Sequence, residues 1–123
     1  MRNVYLDNNA TTQVAPEVID AMSPFFKDLW GNPSSMHQFG GQVKKYIDTA
    51  REQVAALIGA DPSEIVFTSC GTESDNMAIW GVAEAAGRKT RIITSRVEHP
   101  AVLGPCRHLK EQGHEVIELG VST

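Results

Sequence analysis

The chain has 123 residues, of which 41% are hydrophobic and 21% charged, and this composition is typical of one globular domain or part of one. Its net charge of -4 and its scattered lysines and arginines give no electrostatic reason to bind nucleic acid or an anionic membrane, so we expect neither partner. The chain begins without a basic, apolar leader and contains no apolar run long enough to span a membrane, which predicts a cytoplasmic protein.

The two cysteines, Cys70 and Cys106, are too few for a disulfide framework. They also form no metal-binding spacing with the four histidines. We therefore expect reduced thiols and no metal site.

The first half of the chain is predicted to contain two helices. The first runs from Pro16 to Phe26 between two loops, LDNNATT and WGNPSSMHQFG, whose polar residues suit either the walls of a site or plain turns. Apolar residues spaced by three, four and seven then predict a long amphipathic helix from about Gly40 to Ile58, closed by Gly59. The residues expected to face inward on this helix are Val43, Tyr46, Ile47, Ala50, Val54, Leu57 and Ile58.

The second half alternates strands with helices. A buried strand is predicted over residues 64–68, a helix from about Thr72 to Ala86, a strand over 91–95, a helix from Pro100 to Gln112 and a strand over 115–119. The residues expected to face inward on the last helix are Val102, Leu103, Cys106 and Leu109. This order predicts three parallel strands with right-handed crossovers.

The turn Ser69-Cys70-Gly71-Thr72 follows the first predicted strand and opens a helix. Ligands of an open parallel sheet bind beyond the carboxyl ends of its strands, and the backbone N–H groups at a helix N-terminus favour an anion. Gly71 allows close approach and Thr72 adds a hydroxyl, which predicts a phosphate site. The alternative is that Thr72 only caps the helix, with Asp75 as the acid of a capping box.

A histidine follows the next strand, in Val97-Glu98-His99-Pro100. The residue before a proline is driven out of the helical conformation, and proline suits the first helical turn, so His99 should lie just ahead of a helix. Its flat imidazole can stack on a ring or relay a proton, although a solvated loop histidine is the plainer interpretation. A phosphate site beside a flat base suits a phosphorylated aromatic cofactor, for which pyridoxal phosphate is the candidate.

Four motifs carry a resemblance to a known family: YLDNNATT at 5–12, GNPSSMH at 31–37, FTSCGTESDN at 67–76 and VEHPAVL at 97–103. In this order they resemble the N-terminal motifs of the NifS/IscS-type cysteine desulfurases, class V relatives of the aminotransferases. The resemblance implies an α/β fold, a three-layer parallel sheet of the aminotransferase type, with only its N-terminal part present. Residues 1–13 would join the small domain, and 14–123 would begin the large domain that binds pyridoxal phosphate.

The resemblance also implies the reaction and its partners. A homodimer that holds pyridoxal 5'-phosphate would take sulfur from L-cysteine, leave L-alanine and pass a persulfide to an iron–sulfur scaffold or another sulfur acceptor protein. Gly71 and Thr72 would bind the cofactor phosphate, and His99 would stack on its ring and assist proton transfer. Four residues would lie near the substrate pocket: Asn8, Ala10, Thr11 and His37.

Cys70 stands where many members of that family have glycine, and their persulfide cysteine lies far toward the C-terminus. The resemblance therefore predicts that Cys70 is not the nucleophile, while Cys106 lies on the inward face of its helix. The family's lysine that holds the cofactor, its aspartate for the pyridine nitrogen and its substrate-binding arginine also follow residue 123. We expect an N-terminal part of a longer enzyme, as a truncated, cleaved or split chain that is inactive alone.

Three functions thus stay open at this point. The first is the N-terminal part of a cysteine desulfurase. The second is a selenocysteine lyase or another class V enzyme that uses pyridoxal phosphate. The third is a non-catalytic fragment that acts as an interaction module.

Overall fold

The computed structural model describes residues 4–122 and divides the chain into two compact units, Met1–Val66 and Phe67–Thr123. No helix among the described residues is long and apolar enough to cross a membrane. The domain boundary expected between residues 13 and 14 stays a prediction.

The first unit contains two helices, α1 (Pro16–Lys27) and α2 (Gln38–Ile58). Proline begins α1, and Gly59 ends α2 with φ 70°, a left-handed conformation that glycine adopts without steric cost. Both helices were predicted within a few residues of these bounds, because proline and glycine mark helix ends directly in the sequence.

The loop before α2 packs directly against the first turn of that helix. A Cβ atom added at Gly40 would lie 2.3 Å from the carbonyl oxygen of Asn32 and 2.8 Å from the Cβ of Ser35. One added at Gly31 would lie 2.7 Å from the carbonyl oxygen of Phe39. The absence of side chains at Gly31 and Gly40 therefore lets the loop and the helix touch.

The inward face predicted for α2 is largely exposed, which corrects the sequence prediction. Of the seven residues expected to face inward, Val43 is buried, whereas Leu57 is 85% exposed. The parts of the unit that contact α2 are the loop 31–35, the ring of Phe25 against Tyr46 and one short turn of helix. They are too small to cover a helix of 21 residues.

The strand predicted over residues 64–68 is also wrong. Pro62–Glu64 forms a 3-10 turn instead, because the Asp61 side chain accepts a hydrogen bond from the Ser63 N–H and the Glu64 carboxylate accepts one from the Asp61 N–H. Residues 65–68 belong to no strand, and Val66 is 59% exposed. Among the described residues, the sheet consists of two strands that pair with each other, and it does not include this segment.

The second unit contains α3 (Gly71–Ala85), β1 (Arg91–Ser95), α4 (Pro100–Glu111) and β2 (Glu115–Leu119). The strands are parallel, in register from Arg91 opposite Glu115 to Ser95 opposite Leu119, and α4 is the crossover between them. The predicted strands 91–95 and 115–119 are confirmed, and α3 and α4 begin and end within one residue of their predicted bounds. The sheet of the described chain has two strands rather than the predicted three.

The core of the second unit lies under α4, which packs against both strands and against α3. Cys106 and Leu109 are 2% and 1% exposed, as predicted for the inward face, and Ala101 and Pro105 are buried beside them. Burial raises the pKa of the Cys106 thiol, and the nearby Glu118 adds to this effect. The packing of α3 on α4 brings residues near the start of the two helices together.

Candidate functional site

The turn before α3 is held by hydrogen bonds between its own residues. Cys70 is the residue preceding the helix, in an extended conformation with φ -166° and ψ 170°. The Glu73 carboxylate accepts hydrogen bonds from both the N–H and the hydroxyl of Ser69, each at 2.6 Å, and these bonds lower the pKa of the Glu73 carboxyl. A hydrogen bond of 2.7 Å between the hydroxyls of Thr68 and Ser74 closes the turn from the other side.

Thr72 is not the helix cap that the alternative interpretation assumed. It is the second residue of α3, and Glu73 rather than Asp75 supplies the carboxylate that bonds back to the turn. Thr72 lines a cleft, and within residues 4–122 its hydroxyl makes no hydrogen bond. Its oxygen is therefore available to a ligand.

The start of α3 has the donor set that an anion requires. The first backbone hydrogen bond of the helix is donated by Ser74 to the carbonyl oxygen of Cys70, so the N–H groups of Gly71, Thr72 and Glu73 precede the helical ladder. A Cβ added at Gly71 would meet no atom within 4 Å, which leaves room for close approach. These N–H groups, the helix dipole and the Thr72 hydroxyl together fit a phosphate.

The same N–H groups act on the exposed thiol of Cys70. The backbone N–H of Glu73 and the hydroxyl of Ser69 lower the pKa of this thiol, and the Glu73 carboxylate partly opposes them. A helix N-terminus favours any anion placed there, whether thiolate or phosphate. The two anions would compete for one set of donors.

His99 immediately precedes α4, as the sequence predicted. Its Nδ1 accepts a hydrogen bond of 3.1 Å from the backbone N–H of Ala101, and Pro100 is the first residue of the helix. Because Nδ1 is an acceptor here, a neutral imidazole carries its proton on Nε2. The ring is thus held by one edge and can offer its face and Nε2 to a ligand.

Thr72 and His99 line one cleft between α3 and α4, with a volume of about 480 Å³. The sequence suggested that these residues belong together, and the structure places them at the same cavity. Its far end carries two rings that the sequence analysis did not single out, Trp80 and His108, with centroids 5.1 Å apart. The full lining comprises Thr72, Asn76, Trp80, His99, Pro100, Ala101, Gly104, Pro105 and His108.

Asn76 is a further residue of the cleft that the sequence did not single out. Its side-chain amide donates to the carbonyl oxygens of Thr72, at 2.8 Å, and Ala101, at 3.4 Å. The signal available in the sequence was the spacing of four between Thr72, Asn76 and Trp80, which places them on one face of a helix.

The four residues expected near the substrate lie in the first unit. Asn8, Ala10 and Thr11 form an exposed turn in which the N–H groups of Ala10 and Thr11 donate to the Asp7 carbonyl oxygen. His37 precedes α2 and accepts a hydrogen bond of 3.3 Å from the Gly40 N–H. Among residues 4–122, no hydrogen bond joins this turn to His37, and their role near a substrate stays a prediction.

Comparison with known proteins identifies the family of the chain. The family described as Aminotransferase class-V matches residues 4–122. The chain therefore belongs to the class-V aminotransferase family.

The names of individual relatives are more specific than the description of the family. The chain is 61% identical to "Cysteine desulfurase" from Trichormus azollae over 99% of its own length and 30% of that protein. Among solved structures, it resembles "NIFS-LIKE PROTEIN" with a TM-score of 0.88 and 44% identity, covering 96% of this chain and 33% of that one. It also resembles "SspA in complex with cysteine" with a TM-score of 0.85 and 41% identity, covering 94% and 33% of the two chains. The chain thus spans about 30% of the length of the curated relatives it matches.

Proposed function

We propose that the whole protein to which this chain belongs is a cysteine desulfurase that depends on pyridoxal 5'-phosphate. The observation that carries this proposal is the cleft shared by Thr72 and His99, which combines an anion site with a flat imidazole. The relatives called cysteine desulfurase, and the related structure described as a complex with cysteine, support the choice of L-cysteine as substrate.

The proposed reaction transfers one sulfur atom. The C–S bond of L-cysteine breaks, its sulfur joins an enzyme thiol to give a persulfide, and the β-carbon gains a proton to give L-alanine. Pyridoxal phosphate, when bound, supplies an electron sink that stabilises negative charge on the substrate carbons. The persulfide sulfur then passes to an iron–sulfur scaffold or another acceptor protein.

The residues of this chain would bind the cofactor and orient its ring. The N–H groups of Gly71 and Thr72 and the Thr72 hydroxyl would hold the cofactor phosphate at the start of α3. His99 would stack on the cofactor ring, with its Nδ1 fixed by Ala101 and its Nε2 available to hold or move a proton. Asn8, Ala10, Thr11 and His37 would lie near the substrate.

The remaining features of the proposal concern the whole protein. The chain contains five lysines, and all of them are exposed: Lys27, Lys44, Lys45, Lys89 and Lys110. The lysine that holds the cofactor would therefore come from elsewhere in the full-length protein. This segment alone would be inactive. We further propose a homodimer in the cytoplasm.

The test uses the full-length protein incubated with pyridoxal phosphate. We expect it to become yellow and to release equal amounts of alanine and sulfide from L-cysteine in the presence of a reducing thiol. Preferential turnover of selenocysteine would instead assign a selenocysteine lyase. A full-length protein that stays colourless and inactive with both amino acids would contradict the proposed function and leave a non-catalytic role.

A further inference from the structure

The hydrogen bond between Asn76 and α4 has a specific cause in the sequence of α4. In an α-helix the carbonyl oxygen of residue 101 accepts from the N–H of residue 105, but residue 105 is a proline and has no N–H. The Ala101 carbonyl oxygen is therefore left without its helical donor, on a residue that is only 7% exposed. Asn76 supplies a donor from the neighbouring helix.

The orientation of the Asn76 amide is determined by its two partners. Both partners are carbonyl oxygens, which only accept, and the NH2 group has two hydrogens to donate. One hydrogen is directed to Thr72 in the preceding turn of α3, and the other crosses to Ala101 in α4. A single side chain thus connects the two helices near their N-terminal ends.

These two partners are directly linked to the two proposed cofactor residues. The Thr72 carbonyl belongs to a residue that lines the cleft, and the Ala101 N–H donates to Nδ1 of His99 at 3.1 Å. A chain of hydrogen bonds therefore runs from Thr72 through Asn76 and Ala101 to His99. Any change in the spacing of α3 and α4 at this point moves His99 relative to Thr72.

We propose that Asn76 is a positioning residue that fixes His99 relative to Thr72 by replacing the hydrogen-bond donor that Pro105 removes from α4. This inference rests on the proposed function, since it assumes that Thr72 and His99 bind the two ends of one cofactor. Asn76 itself acts through His99 and does not need to touch the cofactor.

The test is a double-mutant cycle on cofactor binding by the full-length apoprotein. The dissociation constant for pyridoxal phosphate is measured for wild type, Asn76→Ala, His99→Ala and the double variant. We expect Asn76→Ala to raise this constant by about threefold to tenfold, the loss of one or two hydrogen bonds. In the His99→Ala background we expect a further change of less than about twofold, because His99 is no longer present to be positioned.

Two further variants distinguish the hydrogen bond from Asn76 to Ala101 in α4 from the one to Thr72 within α3. A serine at position 76 can still donate to the Thr72 carbonyl four residues earlier, but it is too short to bridge to Ala101. We expect Asn76→Ser to resemble Asn76→Ala, and to replace it in the cycle if the alanine variant does not fold. Gln53→Ala, which removes an exposed amide from α2, should leave the dissociation constant unchanged.

The circular dichroism of the bound cofactor adds a readout of ring orientation. We expect Asn76→Ala and Asn76→Ser to change its visible band while the far-ultraviolet spectrum stays constant. The positioning role would be overturned if Asn76→Ala changed the dissociation constant equally with and without His99, or if the serine variant matched wild type. Either result would leave the proposed function standing. A wild-type protein that does not bind pyridoxal phosphate would overturn the proposed function and this inference with it.

Discussion

The N–H groups at the start of α3 can stabilise either a cofactor phosphate or the thiolate of Cys70. Thr72 lines the cleft, and its hydroxyl makes no hydrogen bond within residues 4–122, whereas the Cys70 thiol is exposed and has a lowered pKa. A dianionic phosphate bound at these donors would oppose a second negative charge beside it. Under the proposed function, this turn therefore binds the cofactor phosphate and does not present a nucleophilic cysteine.

Replacing Thr72 by valine should weaken cofactor binding with little effect on the fold. The change keeps the shape of the side chain but removes a donor to a charged oxygen, worth about 1.5–3 kcal/mol. We expect the dissociation constant for pyridoxal phosphate to rise about tenfold or more in the full-length protein. Thr72→Ser, which keeps the hydroxyl, is the control, and an unchanged constant in the valine variant would mean that the hydroxyl does not contact the phosphate.

Replacing Cys70 by alanine should leave the activity of the full-length protein within a few-fold of wild type. The position needs only a small residue whose backbone follows the turn, since the Glu73 carboxylate and Ser69 hold its shape. The measurement is alanine release from L-cysteine under reducing conditions. A loss of about a thousandfold with the cofactor still bound would make Cys70 the nucleophile.

For single residues, the sequence predicts the place of a residue in its helix or loop better than its contacts with other helices. His99 could be placed ahead of a helix because Pro100 restricts the residue before it. The bond from Asn76 to Ala101 could not be predicted, because it joins residues 25 positions apart in sequence and depends on how α3 and α4 pack side by side. Local backbone rules do not contain that information.

Among the elements, α2 and the loop before it show how glycine permits a close contact. Gly40 lies against the backbone of Asn32, whereas a Cβ at the next residue, Gly41, would meet nothing within 4 Å. Both glycines are in the first turn of the same helix, and both have negative φ. They differ in packing and not in backbone conformation.

Gly40→Ala should therefore destabilise the full-length protein, and Gly41→Ala should not. The added methyl group at position 40 overlaps a backbone oxygen, and forced overpacking costs about 1–3 kcal/mol. At position 41, alanine is the better helix former by up to about 1 kcal/mol. Urea unfolding of the two variants checks this, and equal midpoints would show that the loop moves away without cost.

The helices and strands also show where a sequence pattern is insufficient to predict secondary structure. The helices were predicted well because Pro16, Pro100 and Gly59 mark their ends locally. The run Ile65-Val66-Phe67 has the composition of a strand, but a strand requires a neighbour to accept its hydrogen bonds. Within the described chain this run is not paired in the sheet, so composition alone gave the wrong prediction.

At the scale of the whole molecule, large apolar side chains are exposed in both units. In the first unit they include Leu57 and Ile58, and in the second Phe67, Val82 and Ile93. Exposed apolar faces of this kind mark surfaces that bind something else. Since the matched relatives are about three times as long as this chain, we propose that further chain covers these faces in the full-length protein.

The segment of residues 1–123 prepared alone should accordingly bind a hydrophobic dye more strongly than the full-length protein does. With anilinonaphthalene sulfonate we expect several-fold higher fluorescence per mole of chain, because the dye adsorbs to exposed apolar surface. Full-length protein denatured in urea serves as the reference for unfolded chain. Equal dye binding by the segment and the native full-length protein would show that the apolar faces stay exposed in both.

The pairing of β1 with β2 has a consequence for the order in which the protein forms. Each residue of β1 lies opposite one 24 positions later, and α4 fills the interval. Closing so short an interval has a small entropic cost, and contacts of low sequence separation form fast. During synthesis, this strand–helix–strand module can therefore assemble once Leu119 has left the ribosome, so that α4, with His99 just ahead of it, would form before the later parts of the protein have emerged.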